Sequence, residues 1–259
     1  MYLGIDIGTS AVKVICTDGT EIFASATADL TVQSRHSGWS EQDPQAWWAA
    51  TCTALAEIDE TRSLSDVTAI GLSGQMHGAV LLDAQRDLLR PAILWNDSRS
   101  TKDCARLQEA LPEIGTISGV LPLPGFTAPK LMWVARQEPE VHGRIATVLL
   151  PKDYIGLCLH GEIATDRSDA AGTLWLDQAT RDWSSMVAAA SATDISWLPR
   201  LADGHEVVGQ VTAAAAAKTG LTAGIPVVAG GGDAATGAVS LGATESGRGF
   251  ISLGTSGQL

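Results

Sequence analysis

The chain has no surplus of positive charge: 17 basic residues face 29 acidic ones, a net −12. This makes it a poor binder of nucleic-acid backbones or anionic membranes, which call for clustered cations. It does not exclude a local anion pocket, because backbone N–H groups bind phosphate without net charge. No two cysteines have the C-x-x-C spacing. Cys16, Cys52, Cys104 and Cys158 lie far apart, as expected of buried, reduced thiols in a cytosolic protein. No apolar run reaches the ~18 residues that a membrane helix needs. The first residues enter a strand at once and lack the basic region and apolar stretch of a secretory signal, so a cytoplasmic protein is expected. The pattern G-x-x-x-x-G-K-[ST] is absent, which excludes a Walker A phosphate loop.

What is present suits a globular α/β chain. The 259 residues are 45% hydrophobic and 18% charged, enough for a real core and too apolar for disorder. That length allows one large domain or two small ones. "YLGIDIG", "AVKVICTD" and "TEIFASATADL" are β-rich and broken by Gly8-Thr9-Ser10 and Asp18-Gly19, which predicts an antiparallel meander. "QDPQAWWAATCTALAEI" predicts a helix with Asp43 as N-cap and Pro44 at its first position. Trp47 and Trp48 are adjacent there, so at most one faces the core squarely. "VTAIGLSG" and "GAVLLD" read as strands, and "PAILWND" as a strand end running into a polar loop. Helical segments follow through residues 101–137. "TVLLPKDYIGLCLHG" passes from strand to helix, and "ATDRSDAAGTLWLD" is expected to be loop-rich. "TAAAAAKTGL" is a helix ended by Gly220; "IPVVAGGGDAATGAVSLGA" is strand, glycine turn and helix; "GFISLG" is a last strand. A meander followed by alternating helices and strands predicts a mixed sheet.

Four stretches carry chemistry. In "GIDIGTSAVK" a strand delivers Asp6, a turn carries Thr9 and Ser10, and Lys13 lies on the next strand. Such a turn either closes a hairpin or offers several donors to a phosphate, and Asp6 can hold hydrated Mg²⁺. In "VVAGGGDAATG" three glycines permit a sharp turn and close approach to a ligand, and Asp233 starts a helix as a cap or as a cleft carboxylate. Gly230, Gly232 and Ala235 match a dinucleotide fingerprint, but the next strand brings no acid for a ribose. "GLSGQMHGAVLLD" places Gln75, Met76 and His77 in a tight loop, with His77 either a structural residue or a ligand group. "ILWNDSR" sets Trp95 beside Asn96, Asp97 and Arg99, an apolar face with polar neighbours that suits either a sugar or a packed core with a salt bridge. The other seven tryptophans are expected to serve packing.

Together these motifs resemble the FGGY carbohydrate kinases, and most closely the members that phosphorylate xylulose. The resemblance runs along the whole chain. It includes "GIDIGTSAVK", "WSEQDPQAWW", the long and specific "GFTAPKLMWVARQ", "LLPKDYIGLCLHGEIATDRSDAAGTLWLD", "GGGDAATGA" and the closing "LGTSG". "SGQMHG" has the xylulose-type form. The resemblance implies an actin-like, ribonuclease-H-like fold in which two lobes close on ATP and sugar. Residues 1–245 would form the first, sugar-binding lobe and 246–259 would open the second, which would make this a truncated piece or a gene fragment of a protein about twice as long. It implies Asp233 as the catalytic base, and Gln75, Met76, His77, Trp95 and Asp233 around D-xylulose. It implies Thr9, Ser10 and Lys13 on one side of the ATP phosphates, Gly254, Thr255 and Ser256 on the other, and Asp6 with Asp233 near Mg²⁺. A homodimer is compatible with the family. One departure stands out: Ala234 occupies the place where the xylulose-type members carry Asn, a loss worth about 1–2 kcal/mol of sugar binding or a change of sugar. Other sugars of the family (ribulose, a deoxysugar, glycerol) and a non-catalytic sugar-binding half stay open. A nucleotide-dependent structural protein of the actin type shares the fold but is disfavoured by "GFTAPKLMWVARQ".

Overall fold

The computed structural model describes residues 1–253 together with Gly257 and Gln258, so the expected phosphate residues Gly254, Thr255 and Ser256 lie outside the described residues. The opening meander forms as predicted: β1 (Tyr2–Ile7), β2 (Ala11–Thr17) and β3 (Ile22–Asp29) pair antiparallel in order. α1 (Pro44–Thr61) follows. Asp43 caps it by accepting from the Gln45 N–H, and Pro44 sits at the first turn. Its buried positions Trp47, Ala50, Thr51, Ala54, Leu55 and Ile58 recur at helical spacing. Trp47 is buried while Trp48 is only partly so.

The chain then crosses to β4 (Ala69–Gly74), which runs parallel to β1. Much further on, β5 (Val207–Gln210), α5 (Ala213–Thr219), β6 (Pro226–Val228), β7 (Gly231–Gly232) and α6 (Asp233–Ser240) complete the sheet. β6 and β7 both lie parallel to β4, one after the other, with the chain kinked between them. Gly230 makes the kink. Its φ is +77°, and a β-carbon there would run into the Leu72 carbonyl oxygen. The mixed-sheet order is β5-β6-β4-β1-β2-β3, with β7 extending the β6 side of β4.

One face of this sheet carries the main core. Leu3, Ile5, Ile7, Val12, Val14, Ile70 and Leu72 alternate inward, as period-2 strands require. They pack under α1, α5 and the helix α3 described next. The insertion between β4 and β5 builds a second apolar core around Val148, Trp133, Leu131 and Trp175. It holds α2 (Thr127–Gln137), α3 (Pro151–His160) and α4 (Arg167–Ala171). The stretch expected to be loop-rich holds a short strand, Ala164–Asp166, and α4 itself. The five-residue helix is too short to show a 3.6-residue pattern. Asp166 nucleates it by accepting from the N–H groups of Ser168 and Asp169. All four cysteines are free; Cys16 and Cys104 are buried, whereas Cys52 and Cys158 are only partly so. No described helix is long and apolar enough to cross a membrane.

Ile70 lies on β4, flanked by β1 and β6, and is 0% exposed. Ile70→Ala should cost about 2–5 kcal/mol in urea unfolding. Ile22→Ala on the edge strand, where the side chain is 63% exposed, should change it by less than about 0.5 kcal/mol.

Candidate active site

Three strand ends meet at one edge of the sheet. In the parallel register Ile7 stands beside Gly74, and Gly74 beside Gly232. The residues that follow each strand therefore cluster: Gly8-Thr9-Ser10 after β1, Gln75-Met76-His77 after β4, and Asp233 after β7. The carboxyl ends of parallel strands are where open α/β sheets gather ligands.

The turn after β1 is a closed hairpin, with the Gly8 N–H donating to the Ala11 carbonyl at 3.0 Å. Asp6 and Lys13 stand opposite each other across it. Both line a cavity of about 800 Å³ on the face of the sheet away from the main core, together with Ser73, Gly231 and Thr236. The Asp6 Oδ1 is buried and has no hydrogen-bond partner among the described residues. A buried carboxylate oxygen without a donor suits a hard cation, and a second carboxylate, Asp233, lies near enough to feel its charge. No group of three or more acidic, histidine or cysteine residues forms a ready metal cage among the described residues. This donor set fits Mg²⁺, which takes one or two carboxylates and fills its shell with water and phosphate.

Asp233 is the first residue of α6, and its Oδ1 accepts from the Ala234 N–H at 2.7 Å. Its side chain reaches solvent, yet the walls around it strip away hydration. That desolvation pushes its carboxyl above the usual range, and the Asp6 charge pushes the same way against the opposing Ala234 bond.

The loop after β4 divides in two. Gln75 is 2% exposed and its amide is fully engaged. Its Oε1 accepts from the Thr9 hydroxyl at 3.0 Å, and its Nε2 donates to the Gly8 carbonyl and to Gln42 Oε1. Gln42 in turn donates to the Thr9 carbonyl at 2.8 Å and accepts from the Trp47 indole. Trp95 joins this net, its indole donating to Thr9 Oγ1 at 3.0 Å. Met76 and His77 are partly open and lie beside Gly232 and Gly172, neither of which has room for a β-carbon. Of the residues near Trp95, Asn96 is exposed, whereas Asp97 and Arg99 are taken into a buried network with Glu41 and Arg90. The Arg99 guanidinium stacks on Trp39 at 3.7 Å.

The segment 125–137 turns out to be a buttress. Gly125 abuts the Trp95 carbonyl, where a β-carbon would come within 2.6 Å. Thr127 Oγ1 and Lys130 Nζ donate to the His77 carbonyl at 3.2 and 2.7 Å. Lys130 is wholly buried, and that burial pulls its ammonium down to about 7 despite the nearby Asp97 carboxylate.

Beneath the strand ends lies a second buried lysine. Lys152 Nζ is 2.5 Å from Asp153, 2.9 Å from Asp166 and 3.7 Å from Asp169. Burial alone would favour the neutral amine, but the three carboxylates more than reverse it and raise the ammonium above its usual range. Burial pushes Asp169 well up, and neither of its oxygens has a hydrogen-bond partner among the described residues. The sequence reading named neither Gln42 nor Lys152 and gave Lys130 no role. An isolated polar letter gives no sign that it will be buried.

A hairpin turn, two carboxylates and a loop flanked by an aromatic ring meet at this edge of the sheet. The chain belongs to the FGGY family of carbohydrate kinases, whose N-terminal-domain model matches residues 1–240. It is 51% identical over 258 residues to a xylulose kinase of Escherichia coli (strain K12), covering 99% of this chain and 53% of that protein. It overlays the crystal structure of a xyloylose kinase from Brucella ovis with a TM-score of 0.95 at 46% identity, covering 99% of this chain and 53% of that one. The xylulose kinase from Rhodospirillum rubrum gives 0.94 at 34% identity, covering 98% and 53%. The chain thus has the actin-like fold of FGGY sugar kinases and spans about half the length of the curated relatives it matches.

The low Lys130 pKa makes a stability prediction. Between pH 7 and 9 the unfolded chain keeps this proton while the folded chain sheds it, so folding gains stability from this group as pH rises. The stability of the wild type relative to Lys130→Met should climb across that window by up to about 1.4 kcal/mol per pH unit, measured by urea unfolding at pH 7, 8 and 9.

Proposed function

We propose that this chain is the sugar-binding lobe of a kinase that moves the γ-phosphoryl group of ATP to a hydroxyl of D-xylulose, giving D-xylulose 5-phosphate. The observation that carries this is Asp233. It sits at the head of α6 with its carboxyl held above the usual carboxylate range by desolvation, near Asp6 and next to the Met76–His77 loop. Asp233 takes the proton from the sugar's primary hydroxyl as that oxygen attacks phosphorus. Met76, His77 and Trp95 line the sugar, and Gln75 holds them from below through its bonds to the phosphate turn. The N–H groups of Thr9 and Ser10 have no backbone partner among the described residues, which supports their serving as donors to phosphate. Lys13 adds charge from β2. Asp6, with its unpartnered oxygen, and Asp233 would hold Mg²⁺. The metal would neutralise charge on the transferring phosphoryl group. Residues 1–245 form this lobe, and 246–259 begin a second one whose Gly254, Thr255 and Ser256 complete the phosphate grip. The identity to xylulose kinases supports the sugar. Ala234 favours a second reading, another sugar of the family, since its methyl group makes no hydrogen bond.

Calorimetric titration of this chain should give weak, saturable binding of D-xylulose, with ribulose and glycerol weaker. Preference for ribulose or glycerol would replace the sugar. No binding of any sugar, by this chain or joined to a second lobe, would end the reading. In a two-lobed protein carrying this chain, Asp233→Asn should abolish turnover with sugar affinity nearly unchanged. The chain alone should phosphorylate negligibly.

A further inference from the structure

The helix that begins with Asp233 is lightly held. None of the residues of α6 is fully buried, and Val239 near its end is 65% exposed. Gly232 precedes it and offers no side chain to cap its first turn. Three successive glycines, Gly230 to Gly232, lead into it, so the chain that delivers Asp233 has little stiffness of its own.

Among the described residues, the only side-chain hydrogen bond that joins α6 to another element runs between Ser73 Oγ and Thr236 Oγ1, at 2.9 Å. Ser73 lies on β4, opposite Asp6 of β1 and Gly231 of β7. The bare Gly231 makes this reach possible, because a β-carbon there would stand 3.0 Å from Thr236 Cγ2. Thr236 Oγ1 also lies 3.2 Å from the Gly232 carbonyl oxygen and 3.1 Å from that of Asp233. A carbonyl oxygen only accepts, so the single Thr236 hydrogen is directed to these two. The Ser73 hydroxyl is then the donor in the 2.9 Å contact. A directed chain runs from β4 through two hydroxyls to the main chain of Asp233 itself, and each bond polarises the next.

We propose that Ser73 and Thr236 are positioning residues for phosphoryl transfer: their hydroxyl pair pins the first turn of α6 to β4 and so fixes the aim of the Asp233 carboxylate. This rests on the reading of Asp233 as the base. A base must meet its proton in one geometry, and a small displacement costs much of its effect. The proposed sugar contacts Met76, His77 and Trp95 lie outside α6. The pin therefore bears on the chemical step and little on sugar binding.

Three variants separate the hydroxyl from the shape of the side chain. Thr236→Val keeps the shape and removes the hydroxyl, Thr236→Ser keeps the hydroxyl, and Ser73→Ala removes the donor without altering the helix. In this chain, amide hydrogen exchange across α6 should quicken roughly 2- to 10-fold in Thr236→Val and in Ser73→Ala, and stay near the wild-type rate in Thr236→Ser. In a two-lobed protein carrying this chain, kcat should fall roughly 3- to 30-fold in Thr236→Val and in Ser73→Ala, with KM for D-xylulose changed by less than about twofold. The double variant should lose no more than either single one, because both break the same bond. Wild-type exchange in Thr236→Val, a Thr236→Ser as impaired as Thr236→Val, losses that multiply in the double variant, or a rise in KM at unchanged kcat each overturns the inference. Asp233→Asn keeps the two readings apart. Near-normal turnover in it removes the base and this inference together, whereas an inactive Asp233→Asn beside a normal Thr236→Val removes this inference alone.

Discussion

A single buried ammonium holds the working edge of this lobe together. Lys152 enters α3 directly behind Gly74, the last residue of β4, and is 0% exposed. Three aspartates from two neighbouring segments converge on it. Two of them, Asp166 and Asp169, start and line α4. The end of α4 presents Gly172 to the His77 ring, and its Ser168 lies against Gly231. The loop after β4 and the strand that delivers Asp233 are therefore both referred to one charge. A buried cation with several carboxylates is costly to break, because losing it strands like charges in low dielectric.

A second arrangement ties the two halves of the candidate site directly. Gln42, Gln75, Trp47 and Trp95 bond around the turn at Gly8 and Thr9, so the proposed phosphate turn and the proposed sugar loop share partners. The segment 125–137 supports the same loops from outside, with Gly125 under Trp95 and Lys130 under His77. Most of these groups face other protein groups. Asp6 Oδ1 and His77 Nε2 are left without partners among the described residues.

Much of this was legible in the sequence where chemistry is local. The hairpin at Gly8-Thr9-Ser10, the cap at Asp43-Pro44, the kink at Gly230 and the helix starting at Asp233 each follow from the conformational limits of one or two residues. α4 was missed because five residues show no helical period, and the aspartate that caps it is held by a lysine on another helix. The grouping of Asp97 and Arg99 with Trp95 was likewise sequence proximity only. In space they turn inward to Glu41 and Trp39, and Trp95 turns to Thr9. Whether a polar residue faces ligand or core depends on partners distant in the chain.

The Thr9 hydroxyl is spoken for on both sides, accepting from Trp95 and donating to Gln75. A phosphate that drew this proton would have to take it from Gln75, and the freed amide oxygen would then seek a donor from the loop beside it. The two substrates would thus share one hydrogen. Whatever occupancy of the first does to the affinity of the second, occupancy of the second must do to the first, by the same factor.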